Sequence, residues 1–291
     1  MSGVSDGDIY LRTGPFVTHL ATTLAVVRDG INLLYDPSCL VEPEAFCDFH
    51  VAVRSPPWRG VIRPKVEFLA DGVPIFTPSP VGHALPLFEW GLNRVIAENV
   101  QQYLIVHAAS VERNGLALIL PGEPGAGKST LTAGLVYRGW RLLSDELTLI
   151  DVATGELRAL ARPISLKNDS VGIVQRFAPG VVLSRPAEKT IKGTIVLAKP
   201  PADSVRRVAE PALPAWVVFP NFQTGTALRL EVRPKAECFI ELAANALNYS
   251  TLGVAGFDTL VAVVTRSRCF EFIYSDLEEG VRHFTEMADA A

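Results

Sequence analysis

The N-terminal part of the chain, from residue 8 to about residue 80, alternates between short apolar stretches and polar turns. β-Branched and aromatic residues are frequent in the apolar stretches, which is typical of β-strands. Prolines and glycine-containing pairs separate the stretches, and these pairs are Asp29-Gly30, Arg59-Gly60 and Asp71-Gly72. Both kinds of residue favour turns. The pattern therefore predicts a small β-rich module.

A helical period replaces this alternation near residue 85. Leu87, Trp90, Val95 and Ile96 fall roughly on one face of a helix over residues 85–100, and apolar positions that recur three or four residues apart are typical of an amphipathic helix. We expect this helix to join the N-terminal module to the remainder of the chain. The predicted division is a module over residues 1–100 and a larger domain over residues 101–291.

The larger domain begins with a predicted strand, hairpin, strand and helix. Residues 103–112 and 116–120 are apolar and flank a turn at Asn114-Gly115, and a glycine-rich loop then leads into a helix. Gly139 predicts the end of this helix, because glycine readily adopts the left-handed conformation of a C-cap. Residues 141–151 predict another strand, with Asp145 and Glu146 near its middle, and residues 156–160 pair back.

Towards the C-terminus, helices are predicted over residues 235–248 and 256–266 and from about residue 277, with a strand over residues 269–274. Residues 199–220 contain five prolines. Since proline interrupts regular structure, we expect an irregular surface segment there that could act as a lid. Strands and helices follow each other along the domain, so the predicted fold class is α/β.

Composition excludes several classes of partner and site. The formal net charge of −4 lacks the basic excess of nucleic-acid-binding proteins. Four cysteines without a CxxC pair indicate neither a zinc cluster nor a disulfide framework. The acidic N-terminus is unlike a secretion signal, and the apolar stretches are too short to span a membrane. We expect a soluble, cytoplasmic protein.

The clearest functional signal is a phosphate-binding motif. The segment matches G-x-x-x-x-G-K-S/T, the Walker A or P-loop pattern, and its residues are Gly122, Glu123, Pro124, Gly125, Ala126, Gly127, Lys128 and Ser129, followed by Thr130. In such loops backbone N–H groups surround the phosphates, the lysine neutralises them and the hydroxyl binds the metal. A strand before the loop and a helix after it match the required context. The motif predicts binding of ATP with Mg²⁺.

A pair of acids indicates which reaction follows. Asp145 and Glu146 lie 17 and 18 residues after Lys128, whereas the second acid of motors and transporter ATPases lies much farther along the chain. No LSGGQ-like segment supports a transporter ATPase. An acid on the strand beside the loop is placed to meet the acceptor hydroxyl or the metal, as in kinases. The alternative is a solvated pair at a strand end. Taken alone, His107 is more typical of a core histidine, because it lies on an apolar strand.

These features occur in the same order and spacing as in a known family. His107, the loop from residue 122 to residue 129 and the run of residues 138–146 resemble the HPr kinase/phosphorylase family, which has a histidine before a G-E-x-G-x-G-K-S loop and then R-G-H-R-L-V-A-D-D. The resemblance covers residues 103–151. It implies a P-loop core of the type shared with ATP-dependent phosphoenolpyruvate carboxykinase. It also makes a homo-oligomer an expectation, since HPr kinases are hexamers.

The resemblance assigns roles to individual residues. It implies that Lys128 and Ser129 hold phosphate and metal, and that Asp145 deprotonates an acceptor serine. Glu146 stands for the family's second aspartate, a metal or water ligand. His107 corresponds to the histidine near the transferred phosphate.

Two departures narrow the resemblance. Thr130 replaces the glutamate that follows the family's loop, and the family's later E-x-R-G-x-G signature is absent. The chain is therefore more similar to the HprK-related kinases, some of which phosphorylate serine on ribosomal peptides. Residues 162–168 and 189–194 resemble further segments of that group. Arg162, Lys167 and Lys192 in them could reach the phosphoryl oxygens. Ordinary surface cations are the alternative.

Three functions follow from these observations. The first is an ATP-dependent kinase that phosphorylates a hydroxyl, expected to be a serine of a peptide or small protein. The second is the same chemistry on a small-molecule metabolite. The third is a nucleotide-binding regulatory module without transfer activity.

Overall fold

The computed structural model describes residues 7–43, 46–56, 64–123 and 125–291. Within these ranges the chain is mixed α/β, as predicted. Three features that the sequence singled out lie outside the described residues: the N-terminus before residue 7, the Arg59-Gly60 turn and Pro124.

The N-terminal region forms a six-stranded sheet in the order β1-β2-β3-β4-β5, with β6 paired to β4. Its strands are β1 (Gly7–Thr13), β2 (Phe16–Thr22), β3 (Phe49–Arg54), β4 (Lys65–Ala70), β5 (Val73–Pro74) and β6 (Ser79–Pro80). β2 and β3 are parallel, and parallel neighbours need a crossover connection. Helix α1 (Ala25–Leu34) and a 3₁₀ turn (Pro37–Cys39) lie in that connection.

Helix α1 adds a helix that was not predicted within the β-rich module. The turn predicted at Asp29-Gly30 is wrong, because both residues lie inside α1. Val27, Ile31 and Leu34 are buried at helical spacing and face the core. A Cβ atom at Gly30 would lie 2.5 Å from the side chain of Leu85. This glycine therefore permits close packing of two helices and does not form a turn.

Helix α2 (Ala84–Asn99) confirms the helix predicted near residue 85. A 3₁₀ turn (Val81–His83) precedes it. Phe88, Leu92 and Ile96 are almost fully buried, and they share one hydrophobic cluster with Leu149 and Leu197. The two regions on either side of residue 100 therefore contribute to a common core.

The rest of the described chain contains twelve strands and seven helices. The strands are β7 (Tyr103–Val106), β8 (Ala108–Arg113), β9 (Leu116–Pro121), β10 (Arg141–Ser144), β11 (Thr148–Asp151), β12 (Leu157–Arg158), β13 (Ile164–Lys167), β14 (Ala187–Thr190), β15 (Gly193–Ala198), β16 (Leu213–Phe222), β17 (Arg229–Val232) and β18 (Arg268–Tyr274). The helices are α3 (Lys128–Val136), α4 (Asp169–Phe177), α5 (Ala202–Arg206), α6 (Lys235–Ala244), α7 (Tyr249–Leu252), α8 (Val254–Arg266) and α9 (Leu277–Asp289).

The central sheet has the order β10-β8-β9-β16-β18-β17, with β9, β16 and β18 parallel. Alternate residues of β9 face its two sides. Leu118 and Leu120 share a cluster with residues of α3 and α9, whereas Ala117 and Ile119 share one with residues of α6 and α8. Helices therefore cover both faces of this sheet, and the strands are buried as a parallel sheet requires.

Two long strands predicted from the sequence are each divided in the structure. The strand predicted over residues 103–112 breaks at His107, and the one predicted over residues 141–151 breaks after Ser144. β7 and β11 pair in a three-stranded sheet, while β8 and β10 pair in the central sheet. Thr148 Oγ1 donates a hydrogen bond to the Ala108 carbonyl across the junction, at 3.0 Å. The two breaks therefore face each other.

The prediction of an irregular surface segment over residues 199–220 is wrong, because helix α5 lies in its first half and strand β16 begins in its second half. Strand β16 lies there, at the centre of the sheet between β9 and β18. Its prolines are tolerated for local reasons: Pro214 lies at a shift in the register with β9, and Pro220 lies beyond Val217, where pairing with β9 stops.

The contact between α2 and β4 leads to a prediction about stability. Replacing glycine by alanine inside a helix usually stabilises it by ~1 kcal/mol. At Gly91, however, a Cβ atom would lie 2.2 Å from the Phe68 ring. We expect Gly91→Ala to lower the free energy of unfolding by ~1–3 kcal/mol, because the core becomes overpacked.

Urea unfolding measures this change. Gly172→Ala in α4 is the matched control, since its Cβ would meet only the end of the flexible Arg176 side chain, at 3.3 Å. The control should be neutral or stabilising. Equal stabilisation by both substitutions would contradict the interpretation.

Candidate active site

The glycine-rich loop (residues 122–127) connects β9 to α3, so the predicted order of strand, loop and helix is confirmed. Gly122, Gly125 and Gly127 have φ angles of 138°, 95° and 90°, a region that side-chain-bearing residues rarely adopt. At Gly127 a Cβ would also lie 2.5 Å from the Tyr274 hydroxyl. Both backbone conformation and close packing therefore require glycine there.

Helix α3 begins at Lys128, directly after this loop. The first N–H groups of an α-helix have no partner within the helix and carry partial positive charge. The Lys128 ammonium group folds back over the loop and donates hydrogen bonds to the carbonyls of Gly122 and Glu123, the latter at 3.1 Å. Burial, and then the charge of Lys167, lower the pKa of Lys128. The loop and the helix start thus form a concentrated set of donors.

Asp145 lies at the break between β10 and β11, close to the start of α3. Its carboxylate Oδ2 accepts a hydrogen bond from the Ser165 backbone N–H at 2.8 Å and one from Ser129 Oγ at 3.3 Å. The other oxygen, Oδ1, is buried without a hydrogen-bond partner among the described residues. Burial and then the charge of Glu146 raise the pKa of Asp145 to about 6. One buried oxygen is thus left for a proton or a ligand.

Glu146 and His107 lie on either side of the same junction. The side chain of Asn93 donates a hydrogen bond to Glu146 Oε2, and the Lys167 ammonium lies 3.8 Å from Oε1. Burial lowers the pKa of the half-buried His107, against the opposing effect of Glu146. His107 is therefore predominantly neutral at pH 7, within the electrostatic reach of Lys128. The structure brings these predicted site residues together.

Arg162 is placed differently from the sequence-based prediction. Its guanidinium forms a buried ion pair with Glu89 at 2.6 Å and donates a hydrogen bond to Asn93 Oδ1 at 2.8 Å. Burial opposes its charge, but the Glu89 carboxylate raises the pKa of Arg162 above its usual value. The charge of Arg162 is thus compensated within the protein wall.

Lys192 lies in the exposed turn between β14 and β15, and its ammonium is 5.3 Å from the centre of the Trp90 ring. It is near enough to His107 to lower the pKa of that imidazole. Lys192 thus lies at the outer edge of the site.

A cavity of about 690 Å³ opens beside the glycine-rich loop. The loop and the first turn of α3 supply one wall, formed by Glu123, Gly125, Gly127, Lys128, Ser129 and Thr130. The opposite walls include residues of α4 and the aromatic side chains Phe177, Phe222 and Tyr274. None of these α4 residues and aromatic side chains was predicted from the sequence as part of the site. Phe222 and Tyr274 are the last residues of the parallel strands β16 and β18. Ligands commonly bind at the carboxyl ends of parallel strands, so the ends of these strands could have identified the walls from the sequence.

Two negative observations apply to the described residues. No three or more His, Cys, Asp and Glu side chains are grouped there in a way that could hold a metal ion. No helix there has both the length and the apolar character that a membrane span requires.

Known proteins offer little similarity. No protein-family model and no curated protein sequence matches the chain. Among solved structures, the chain is similar to the Hpr(Ser) kinase/phosphatase from Coxiella burnetii, with 12% sequence identity and a TM-score of 0.27, over 64% of this chain and 99% of that chain. A TM-score of this size does not establish a shared fold, so the chemistry of the site has to be argued from its own residues.

The raised pKa of Asp145 predicts a pH-dependent effect on stability. Because this pKa is about 6 in the folded chain and near ~4 in an unfolded one, the folded chain binds the proton more tightly. Stability therefore falls as pH rises between these two values. Asp145→Asn removes the buried charge, so above pH ~6 the variant should be more stable than the parent chain by ~1–3 kcal/mol.

Urea unfolding at about pH 4.5 and about pH 8 tests this expectation, since the advantage of the variant should shrink at the lower pH. Asp29→Asn on the exposed side of α1 controls for the substitution itself. If Asp145→Asn gave no gain at the higher pH, the carboxylate would not be buried as described.

Proposed function

We propose that the chain is an ATP-dependent kinase, in which a P-loop formed by residues 122–129 holds ATP and the γ-phosphoryl group passes to a hydroxyl acceptor. The observation that carries this proposal is the contact of Asp145 with Ser129 at the foot of the glycine-rich loop, 3.3 Å between oxygens. It supports the proposal because an acid with one unpartnered oxygen adjoins the loop and helix start that would bind phosphates. General bases of kinases occupy this kind of position.

The nucleotide would occupy the cavity beside the loop. Cavities of ~300–1,000 Å³ typically hold small ligands, and this one has about 690 Å³. Loop N–H groups and the start of α3 offer donors for the phosphates. Lys128 now contacts loop carbonyls and would turn to the phosphate oxygens. The rings of Phe177 and Phe222 offer apolar surface for the base.

Magnesium fits the oxygen donors at the loop. Mg²⁺ prefers hard oxygen ligands and is commonly held by one or two protein groups together with substrate phosphates. Ser129 Oγ, with a carboxylate oxygen of Glu146, would hold it, whereas the buried, unpartnered Oδ1 of Asp145 is left for the proton of the acceptor hydroxyl. When bound, the ion would neutralise phosphate charge. Such a site needs no group of three protein side chains.

The chain's own residues account for the transfer. The acceptor oxygen bonds to the γ-phosphorus while the bond from phosphorus to the bridging oxygen breaks, and ADP leaves with that electron pair. Asp145 takes the hydroxyl proton. With a pKa of about 6, its carboxylate is mostly ionised at neutral pH and basic enough to accept that proton. Lys128 and Lys167 stabilise the negative charge on the phosphoryl oxygens, and the uncharged imidazole of His107 can form a hydrogen bond nearby.

The acceptor is proposed to be a serine of a peptide or small protein. Ile191 is 93% exposed at the tip of the β14–β15 turn, beside Lys192. This side chain offers one apolar contact to a polypeptide acceptor. Incubation with γ-labelled ATP, Mg²⁺ and a serine-containing peptide library, followed by mass spectrometry, tests this. Label found only on small molecules would indicate a metabolite kinase, and ATP binding without transfer a regulatory module.

Lys128→Ala is expected to weaken ATP binding by ~10–100-fold, because a charge-assisted contact to phosphate contributes ~1.5–3 kcal/mol. Calorimetric titration with ATP and Mg²⁺ measures the dissociation constant. Lys65→Ala on β4, which does not line the cavity, is the control. Unchanged affinity in the Lys128 variant would rule out a phosphate-binding role for the loop lysine.

Asp145→Asn is expected to lower the transfer rate by ~10²–10⁴-fold, because the general base is lost. ATP affinity should change little, since the loop contacts remain. In the parent chain, the rate should rise with pH through about 6 as Asp145 ionises. Steady-state transfer assays across pH, with Asp29→Asn as control, measure both effects. A fully active Asp145→Asn variant would show that another group accepts the proton.

A further inference from the structure

Helix α2 belongs to the N-terminal hundred residues, yet one side of it contacts three predicted site residues. Glu89 binds Arg162, Trp90 lies against Lys192, and Asn93 binds Glu146. At ~3.6 residues per turn, positions i, i+1 and i+4 of a helix fall within about 100° of one another around its axis. The same three α2 residues line a small cavity together with Asp145 and Glu146. α2 therefore borders the acid side of the site.

Asn93 links the two charged groups of this border. Its Nδ2 donates to Glu146 Oε2, and its Oδ1 accepts from the Arg162 guanidinium at 2.8 Å. A carboxylate can only accept here and a guanidinium can only donate. These partners determine the orientation of the amide, because a flipped amide would place donor against donor and acceptor against acceptor. The side-chain amide of Asn93 is thus held in one orientation, because one partner accepts a hydrogen bond and the other donates one.

The groups that hold Asn93 through Arg162 form a buried hydrogen-bond network. Arg162 donates to both the carboxylate and the main-chain carbonyl of Glu89, at 2.6 and 2.8 Å. The Tyr35 hydroxyl, at the end of α1, donates to the other oxygen of Glu89 at 2.6 Å. Burial and the Glu89 charge raise the pKa of Tyr35, so this hydroxyl stays protonated. A buried, satisfied polar network of this kind is rigid.

Glu146 itself needs such support. Its side chain has several rotatable bonds and lies beside the Lys167 ammonium, which is 3.8 Å away. The lysine ammonium is a point charge on a flexible side chain, so this contact does not define the orientation of the Glu146 carboxylate. The amide of Asn93, in helix α2, supplies a directional hydrogen bond to the Glu146 carboxylate.

The turn before α2 forms a further contact with this side of the site. The His83 ring lies 2.7 Å from the Glu188 carbonyl, in the strand that leads to the Lys192 turn.

We propose that helix α2 is the positioning element of the acid side of the site, and that Asn93 acts by holding the Glu146 carboxylate in its working orientation. The proposal rests on the kinase function proposed above. It gives the N-terminal region a direct part in transfer. Asn93 is a positioning residue, since it would act through Glu146 and touch no reacting atom.

The test is a double-mutant cycle on phosphoryl transfer to the serine-peptide library. Asn93→Ala should lower kcat by ~10–100-fold, the usual effect of removing a supporting hydrogen bond, and leave the KM for ATP unchanged. In a Glu146→Ala background the same substitution should cost less than about threefold, because its target is absent. Asn93→Asp keeps an acceptor for Arg162 but loses the donor to Glu146, and it should be as defective as Asn93→Ala.

Asn99→Ala is the matched control, since Asn99 lies in the last turn of α2 and, among the described residues, its side chain forms a hydrogen bond only within its own helix, to the Val95 carbonyl. It should keep full kcat. Urea unfolding of the same four proteins of the cycle, without nucleotide, should also show coupling between Asn93 and Glu146. This second readout does not depend on activity.

Each outcome has one meaning. Full activity of Asn93→Ala, equal losses in both backgrounds, or no coupling in urea would overturn the positioning role while leaving the kinase proposal intact. A parent chain that binds ATP but transfers no phosphoryl group to any acceptor would overturn both. Loss of kcat confined to backgrounds that contain Glu146 supports the inference.

Discussion

The carboxylate of Asp145 connects the three segments from which the candidate site is built. It receives hydrogen bonds from Ser165 in β13 and from Ser129 in α3, while its own backbone follows the end of β10. Burying a carboxylate is unfavourable unless partners compensate for lost water, and two hydrogen bonds with one free oxygen compensate only in part. The raised pKa expresses this imbalance. Binding of a cation or a proton to the carboxylate would compensate its buried charge.

The position of that carboxylate follows from how two sheets meet. The chain leaves one sheet and enters the other at His107, and it does so again between Ser144 and Thr148. Because β7 pairs with β11 and β8 pairs with β10, the two breaks lie side by side. Side chains at such breaks are released from strand alternation and can converge. This junction explains how a histidine and two acids gather beside the loop without lying on one strand.

The N-terminal region completes the arrangement from the opposite direction. Its helix α2 shares a hydrophobic core with strands from beyond residue 100, so packing of apolar side chains sets the distance at which Glu89 and Asn93 meet Arg162 and Glu146. Arg162, predicted as a cation for the phosphates, instead has its charge compensated by Glu89. Polar groups this buried require partners on both sides. Through this network, the packing position of α2 determines where the Glu146 side chain lies in the site.

The sequence by itself determined the features that depend on neighbouring residues. The glycine-rich loop, its flanking strand and helix, and helices α2, α8 and α9 follow from local periodicity and from the backbone freedom of glycine. Only the tertiary structure decided that Gly30 lies within a helix, that β16 occupies the centre of the sheet despite its prolines, and that Asn93 faces Glu146, 53 residues away. Local patterns report which element a segment prefers, whereas strand order and the partners of buried polar groups depend on contacts between distant segments. Such contacts form only when the whole core packs.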